Sequence, residues 1–346
     1  MLHPSSSLDP PREKRTANWA RPFLIALLVT LLAGGFVPSL TYAAPSEDHV
    51  NPRLAQDAAA NPDVLFRVII QRVRRNRSID NTVVVNRGRK LRDMRLDGFV
   101  AELPGRVITA LSRSRNIRYM TYDAPMMATD VMSYNLATAF PGAVRASGGW
   151  SWGTTGSGVG VAIIDSGIDT TLPDWCDSYG DQRVVARQVF VDNAPTTVKD
   201  AYGHGTHVAG IVAGNSWCSS DPAVWGKYIG VAPEANLIDL VVSNASGVSY
   251  TSDVVDAIDW AITNRVAYNI RVLNLSLVSS IPESYKTSVL AAAVERAWFS
   301  GIFVVTAAGN AGANTMFYPP ANDPFVVTVG ASDPVGTSTR VDDGMA

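Results

Sequence analysis

The sequence predicts an α/β protein in which a parallel sheet carries helices on both faces, preceded by a small α+β domain. Three observations carry that expectation. From Val159 onward, near-continuous apolar runs of strand length alternate with amphipathic segments of helix length, the pattern of a parallel sheet buried on both sides. Between Val64 and Tyr122, four strand-like runs and one helical run make a separate unit. The two regions also differ in charge. Arg67 to Arg118 carries a net +10 and Asp130 to the end a net −10, a split that the total of −2 conceals and that favours mutual docking.

The elements follow in order. Residues 1–43 have the grammar of an export signal: Arg12, Lys14, Arg15 and Arg21 precede the apolar run Phe23 to Val37, and Thr41-Tyr42-Ala43 offers a small-residue cleavage site. An uncleaved membrane anchor is the alternative, although Gly34, Gly35 and Pro38 interrupt a run that is short for a span. Residues 44–62, rich in Ala, Pro, Asp and Asn without an apolar period, read as a linker. In the domain of residues 63–125, Val64 to Gln71, Thr82 to Val85 and Leu96 to Leu103 read as strands, Gly105 to Ser112 as a helix and Ile117 to Tyr122 as a closing strand. A second linker reaches about Gly149, within the domain of residues 126–346.

There the expected order is strand Val159 to Ile164, helix His204 to Ala213, strand Leu237 to Val242, helix Ser252 to Arg265, strand Val272 to Leu277, helix Ser288 to Ser300 and strand Ile302 to Thr306. Val254, Val255, Ile258, Ala261 and Ile262 share one helix face, with Ser252 as the expected N-cap. Gly301 stops the next helix. In such sheets reactive groups gather at the carboxyl ends of the strands.

Asp165 follows GVGVAII directly, at the end of a buried strand, and Gly167 permits a tight turn after it. A carboxylate there can orient an imidazole, or simply cap the turn. Gly156, Gly158 and Gly160 precede the strand, whereas a dinucleotide fingerprint must follow it. His204 and His207 lie in GHGTHVAGIVAG, whose small residues let a helix start approach a sheet and a bound peptide. Histidine is suited to accept and return a proton near neutrality. The three-residue spacing could also serve a metal, but no Glu or Cys partner accompanies the pair, so no metal site is assigned. Asn310, in AAGN after the apolar run IFVVT, is a neutral donor at another strand end, although a Gly-Asn pair alone is usually a turn.

Together DSGI at Asp165, HGTH at His204 and AAGN at Asn310 resemble the motifs of secreted subtilisin-like serine endopeptidases, in the family's chain order. FRVIIQ, LDGFVAELPG and IRYMTYDAP resemble the inhibitory propeptide of such enzymes, a ferredoxin-like domain. The resemblance implies Asp165 and His204 as catalytic residues, His207 as a packed structural histidine and Asn310 as the oxyanion donor. SNASG and NLSL resemble the two segments that pair with an extended substrate, which implies contacts from Ser246, Gly247, Ser276, Leu277 and Val278. Val278 stands where the family has Gly, and Leu172 where a His often precedes Pro-Asp. The family's nucleophile opens a helix within GTSMAxP. GTSTR at Gly336 copies three letters only, so Ser338 reads as a loop serine and the catalytic serine is expected beyond residue 346.

The resemblance further implies polypeptide substrates, the chain's own propeptide as inhibitor and folding assistant, a monomer, and extracellular release. It implies no required cofactor, and calcium is left open. An aromatic stacking set is missing from the basic segment, which argues against nucleic acid. Cys176 and Cys218, in an exported chain, are either a disulfide or two buried thiols. A peptide-binding protein without the serine and a propeptide acting in trans are the alternative functions.

Overall fold

The computed structural model describes residues 49–73, 78–85, 88–128, 144–191, 199–225, 229–333 and 344–345. The expected export signal, the GTSTR stretch with Ser338, and residues 129–143 of the expected second linker lie outside the described residues. Among the described residues no helix is long and apolar enough to cross a membrane.

Helix α1 (Pro52–Ala60) opens the described chain, where the sequence suggested a linker. Asn51 Oδ1 accepts from the backbone N–H groups of Arg53 and Leu54, Pro52 takes the first turn, and Leu54 and Ala58 bury one side. Two apolar residues four apart are enough when a core waits beneath them. Strand β1 (Leu65–Arg72), helix α2 (Ser78–Val85), strands β2 (Arg89–Met94) and β3 (Gly98–Pro104), helix α3 (Gly105–Leu111) and strand β4 (Ile117–Tyr122) follow. The antiparallel sheet runs β2-β3-β1-β4, the split βαβ arrangement of ferredoxin-like domains.

The expected strand Thr82 to Val85 is instead the last turn of α2. Ile79 and Val83 are buried while Val84 and Val85 face solvent, so the four-residue spacing of the contacts overrides the β-propensity of three valines. One face of this sheet, with Val68, Ile70, Phe99 and Ala101, packs on Leu54, Val107 and Ile108 of the helices. The opposite face, with Ile69, Met94 and Val100, joins the apolar core of the following region.

Strand β5 (Pro125–Ala128) and the short helix α4 (Ala146–Trp150) fall in the expected second linker. Next come β6 (Gly160–Asp165), β7 (Val184–Val189), α5 (His204–Ala213), β8 (Asn236–Val241), β9 (Ser249–Tyr250), α6 (Thr251–Asn264), β10 (Ile270–Leu275), β11 (Leu277–Ser279), α7 (Val289–Phe299), β12 (Phe303–Ala307) and β13 (Val327–Val329). Six of these strands form a parallel sheet in the order β13-β12-β10-β6-β8-β7. Strand β6 shows why both faces are apolar. Ala162 and Ile164 pack toward α6 and α7, whereas Val161 and Ile163 pack toward Val208 and Ala209 of α5 and the buried Trp175. The expected strand through Leu277 ends at Leu275, because the chain switches there from the parallel sheet into a second one.

Candidate active site

Asp165 is the last residue of β6, paired in register with Val241 of β8, and is 3% exposed. Its Oδ1 accepts the Ser166 backbone N–H at 2.7 Å and lies 2.7 Å from His204 Nδ1. With the carboxylate ionised, Nδ1 carries the proton and donates. That tautomer leaves Nε2 as the proton acceptor.

His204 is the first residue of α5, and several contacts fix that helix start. Gly203 caps it at φ +89°, a conformation that favours glycine. Asp200 Oδ1 accepts from Gly203 N at 2.9 Å, and its Oδ2 accepts from Thr206 N and Thr206 Oγ1 at 3.0 and 2.9 Å. Thr206 Oγ1 in turn accepts from Asp169 N, and Gly205 N donates to Ser166 Oγ, each at 2.9 Å. A Cβ on Gly205 would stand 2.3 Å from Gly167 O and 3.0 Å from Asp165 Cβ. Only glycine admits so close an approach of the Asp165 turn and the helix. Beneath the turn, Arg187 of β7 pairs with Asp239 of β8 and donates to Ile168 O at 3.4 Å. Burial pushes the Asp239 carboxyl up to about 7 despite that cation.

His207 is exposed, not packed as expected. It lies three residues beyond His204, on the side of α5 turned away from Val208 and Ala209, which meet the sheet. Asn310 follows the end of β12 after Gly309, whose φ is +90°, and is exposed. Because β6, β10 and β12 are adjacent and parallel, Asp165, Ser276 and Asn310 project from the same edge of the sheet.

Beside that edge lies a three-stranded antiparallel sheet, β11-β5-β9. Its central strand, β5, is the segment that follows the N-terminal domain. Ala128, Met127 and Met126 pair with Leu277, Val278 and Ser279, and on the other side Pro125 and Met126 pair with Tyr250 and Ser249. Leu277 and Val278 thus pair with the chain's own segment after the N-terminal domain. Ser276 lies just before the paired residues, its Oγ accepting from Asn274 Nδ2 at 3.0 Å. Ser246 and Gly247 occupy the turn before β9, held by Asn244, and β5 pairs with Ser249 and Tyr250.

Sequence reasoning missed Tyr202 and Asp200 as well. The Tyr202 ring lies 2.6 Å from where a Gly247 Cβ would be, and its centroid is 6.4 Å from that of His204. Asp200 lies three residues before the N-cap Gly203, outside the position at which a capping side chain is read from sequence, so no local signal marked it. The side chain of Val278 reaches within 3.0 Å of a Cβ built on Gly309.

Cys176 and Cys218 form a disulfide with a Cα–Cα distance of 5.8 Å. It ties the loop after Trp175 to the segment following α5. Among the described residues no group of His, Cys, Asp or Glu converges as a metal cluster.

The sequence model of the subtilase family matches residues 156–341, more than half of the chain. Serine protease AprX of Bacillus subtilis (strain 168) is 36% identical over 202 residues, which cover 56% of this chain and 42% of AprX. M-protease of Shouchella clausii (strain KSM-K16) is 34% identical over 235 residues, 67% of this chain and 53% of that protein. Subtilisin Savinase of Lederbergia lenta is 37% identical over 190 residues, 55% of this chain and 61% of Savinase. The chain thus spans about half the length of the curated relatives it matches. With its Asp165–His204 contact at the carboxyl edge of a parallel sheet and this match over most of that region, the chain belongs to the subtilase family.

Proposed function

We propose that these residues belong to the precursor of a secreted serine endopeptidase. The observation that carries the reading is the 2.7 Å contact of His204 Nδ1 with Asp165 beside a groove whose central strand is the chain's own segment Pro125–Ala128. A strand inserted between β11 and β9 is how an extended polypeptide substrate would bind, by main-chain hydrogen bonds. In this reading residues 63–125 are the inhibitory propeptide, extended by the observed α1, and residues 1–43 direct export.

The chemistry follows from the placement. A serine contributed from beyond residue 346 attacks the scissile carbonyl while His204 Nε2 takes its proton, and Asp165 stabilises the imidazolium that forms. The Asn310 amide donates to the oxyanion of the tetrahedral intermediate. His204 then delivers the proton to the leaving amine as the C–N bond breaks. Water, losing a proton to His204, hydrolyses the remaining ester and restores the serine. No step needs a cofactor.

Expression of the complete open reading frame with a fluorophosphonate probe tests this. One labelled serine beyond residue 346, lost in His204→Ala, is expected. Labelling of Ser338 would replace the proposed nucleophile, and no labelling at all would reject the enzyme.

A further inference from the structure

Strand β11 forms one wall of the groove, and its side chains alternate between the two faces. Leu277 turns into the core that it shares with Met126 of β5, both of them buried. Val278 therefore faces the opposite way, toward the turn after β12. It is 5% exposed, and its Cγ2, Cγ1 and Cβ lie 3.0, 3.4 and 3.7 Å from where a Cβ on Gly309 would stand. Gly309, with a φ of +90°, immediately precedes Asn310. The turn thus contributes no side chain, and β11 fills the space from across.

The register of β5 indicates which part of a bound peptide comes to this place. Met127 pairs with Val278 and Ala128 with Leu277, running antiparallel. An extended peptide in the same register has its next residue opposite Ser276, which projects from the sheet edge that bears Asp165 and Asn310. The carbonyl of that residue is then the one beside the proposed oxyanion donor, so the residue supplies the acyl half of the bond to be cut. Alternate residues of a strand share a face, and so do residues opposed across an antiparallel pair. The acyl residue's side chain therefore points the same way as Val278, as its diagonal neighbour. Diagonal pairs stand about 7–8 Å apart, a span that aromatic and long side chains cross and a methyl group does not.

We propose that Val278 determines specificity at this place, and that the groove admits peptides with glycine, alanine or serine on the acyl side of the scissile bond. The inference rests on the reading of the chain as a peptidase. A leucine, methionine or phenylalanine there needs the volume that the Val278 methyl groups hold against Gly309. The valine does not swing clear, because a β-branched side chain is stiff at χ1 and this one is buried. Val278→Gly leaves bare backbone on both walls and opens the slot to large side chains.

The test takes the product of the complete open reading frame, freed of its N-terminal domain, and a set of unstructured peptides that differ only in the acyl residue. Mass spectrometry locates the cuts, and kinetics give kcat/KM for phenylalanine and leucine peptides relative to alanine. The wild type should favour alanine by more than about tenfold, the scale on which an apolar pocket discriminates by volume. Val278→Gly should raise the large-to-small ratio by more than about tenfold, and Val278→Ala by an intermediate factor, with little change for alanine peptides. Loss of packing alone would slow every peptide alike and leave the ratio unmoved. Should Val278→Gly fail to fold, Val278→Ala and the wild-type profile still decide. Wild-type cutting after phenylalanine or leucine as readily as after alanine, or a ratio unchanged in Val278→Ala, overturns the inference and leaves the peptidase reading standing. A complete protein that cuts no peptide overturns both.

Discussion

Each contact around His204 removes one freedom from the imidazole. Asp165 sets the ring's rotation and tautomer, the Asp200 cap sets where the helix begins, and Ser166 Oγ ties Gly205 to the turn that carries Asp165. On the proposed mechanism these residues fail in different ways. Asp165→Asn keeps the shape but offers Nδ1 an amide that can reverse the tautomer, and turnover should fall about 10⁴-fold. Asn310→Ala should cost about 10²- to 10³-fold in kcat with KM little changed, the range known for subtilisin's own oxyanion asparagine, because the oxyanion forms only after attack. Steady-state kinetics of the complete protein separate the two. An Asn310→Ala enzyme with undiminished kcat would remove that residue from the site.

At the scale of elements, the β6 turn and α5 act as one unit, since a side chain at Gly205 would collide with backbone at Gly167. Gly205→Ala should destabilise the protein by about 1–3 kcal/mol, as overpacking of a tight contact does, and a thermal melt reads the loss. Elements of this kind were legible because their signals are local. The buried run before Asp165, the small residues after His204 and the helix from His204 to Ala213 are written in consecutive residues, and the structure has that helix over the same span. The N-terminal domain was harder to read. Thr82, Val83, Val84 and Val85 carry strand propensity, yet the core beneath Ile79 and Val83 selects a helix. Strand β2 is missed because Arg89, Lys90 and Arg92 on it look like a solvated loop, and α1 because Asn51-Pro52 reads as a breaker before it reads as a cap. Ser252 was expected to cap α6 and instead sits inside its first turn, where Asp123 of the preceding segment takes its N–H and hydroxyl. A cap supplied from 129 residues away leaves no trace in a sequence window. His207 was misjudged for a similar reason: packing depends on what stands opposite, which the local pattern does not contain.

For the whole molecule, the opposed charges of the two regions act through few contacts. Arg92 spans to Asp253 and Asp256, and the Arg67 guanidinium lies 4.1 Å above the Tyr250 ring while bonding Asp123. Arg72, Arg89, Lys90 and Arg106 instead pair with carboxylates of their own domain, as Arg72 does with Asp80 and Asp93. Salt should therefore weaken docking of the N-terminal domain, by screening exposed charges over about 8–10 Å, without abolishing it, because the apolar centre is unaffected. Arg92→Ala should weaken it further and leave a smaller salt dependence, read as inhibition of the completed enzyme at rising ionic strength. A salt dependence unchanged by that substitution would show that other charges steer the domain.

The central claim is that Asp165 and His204 power a peptidase that first acts on its own chain, whose segment after Tyr122 already lies in the groove. The most direct measurement is mass spectrometry of the complete open reading frame, wild type beside His204→Ala, expressed without other peptidases. The account predicts cleavage between Asp123 and Asn135 in the wild type and an intact junction in His204→Ala. Equal cleavage of both proteins at that junction would contradict it.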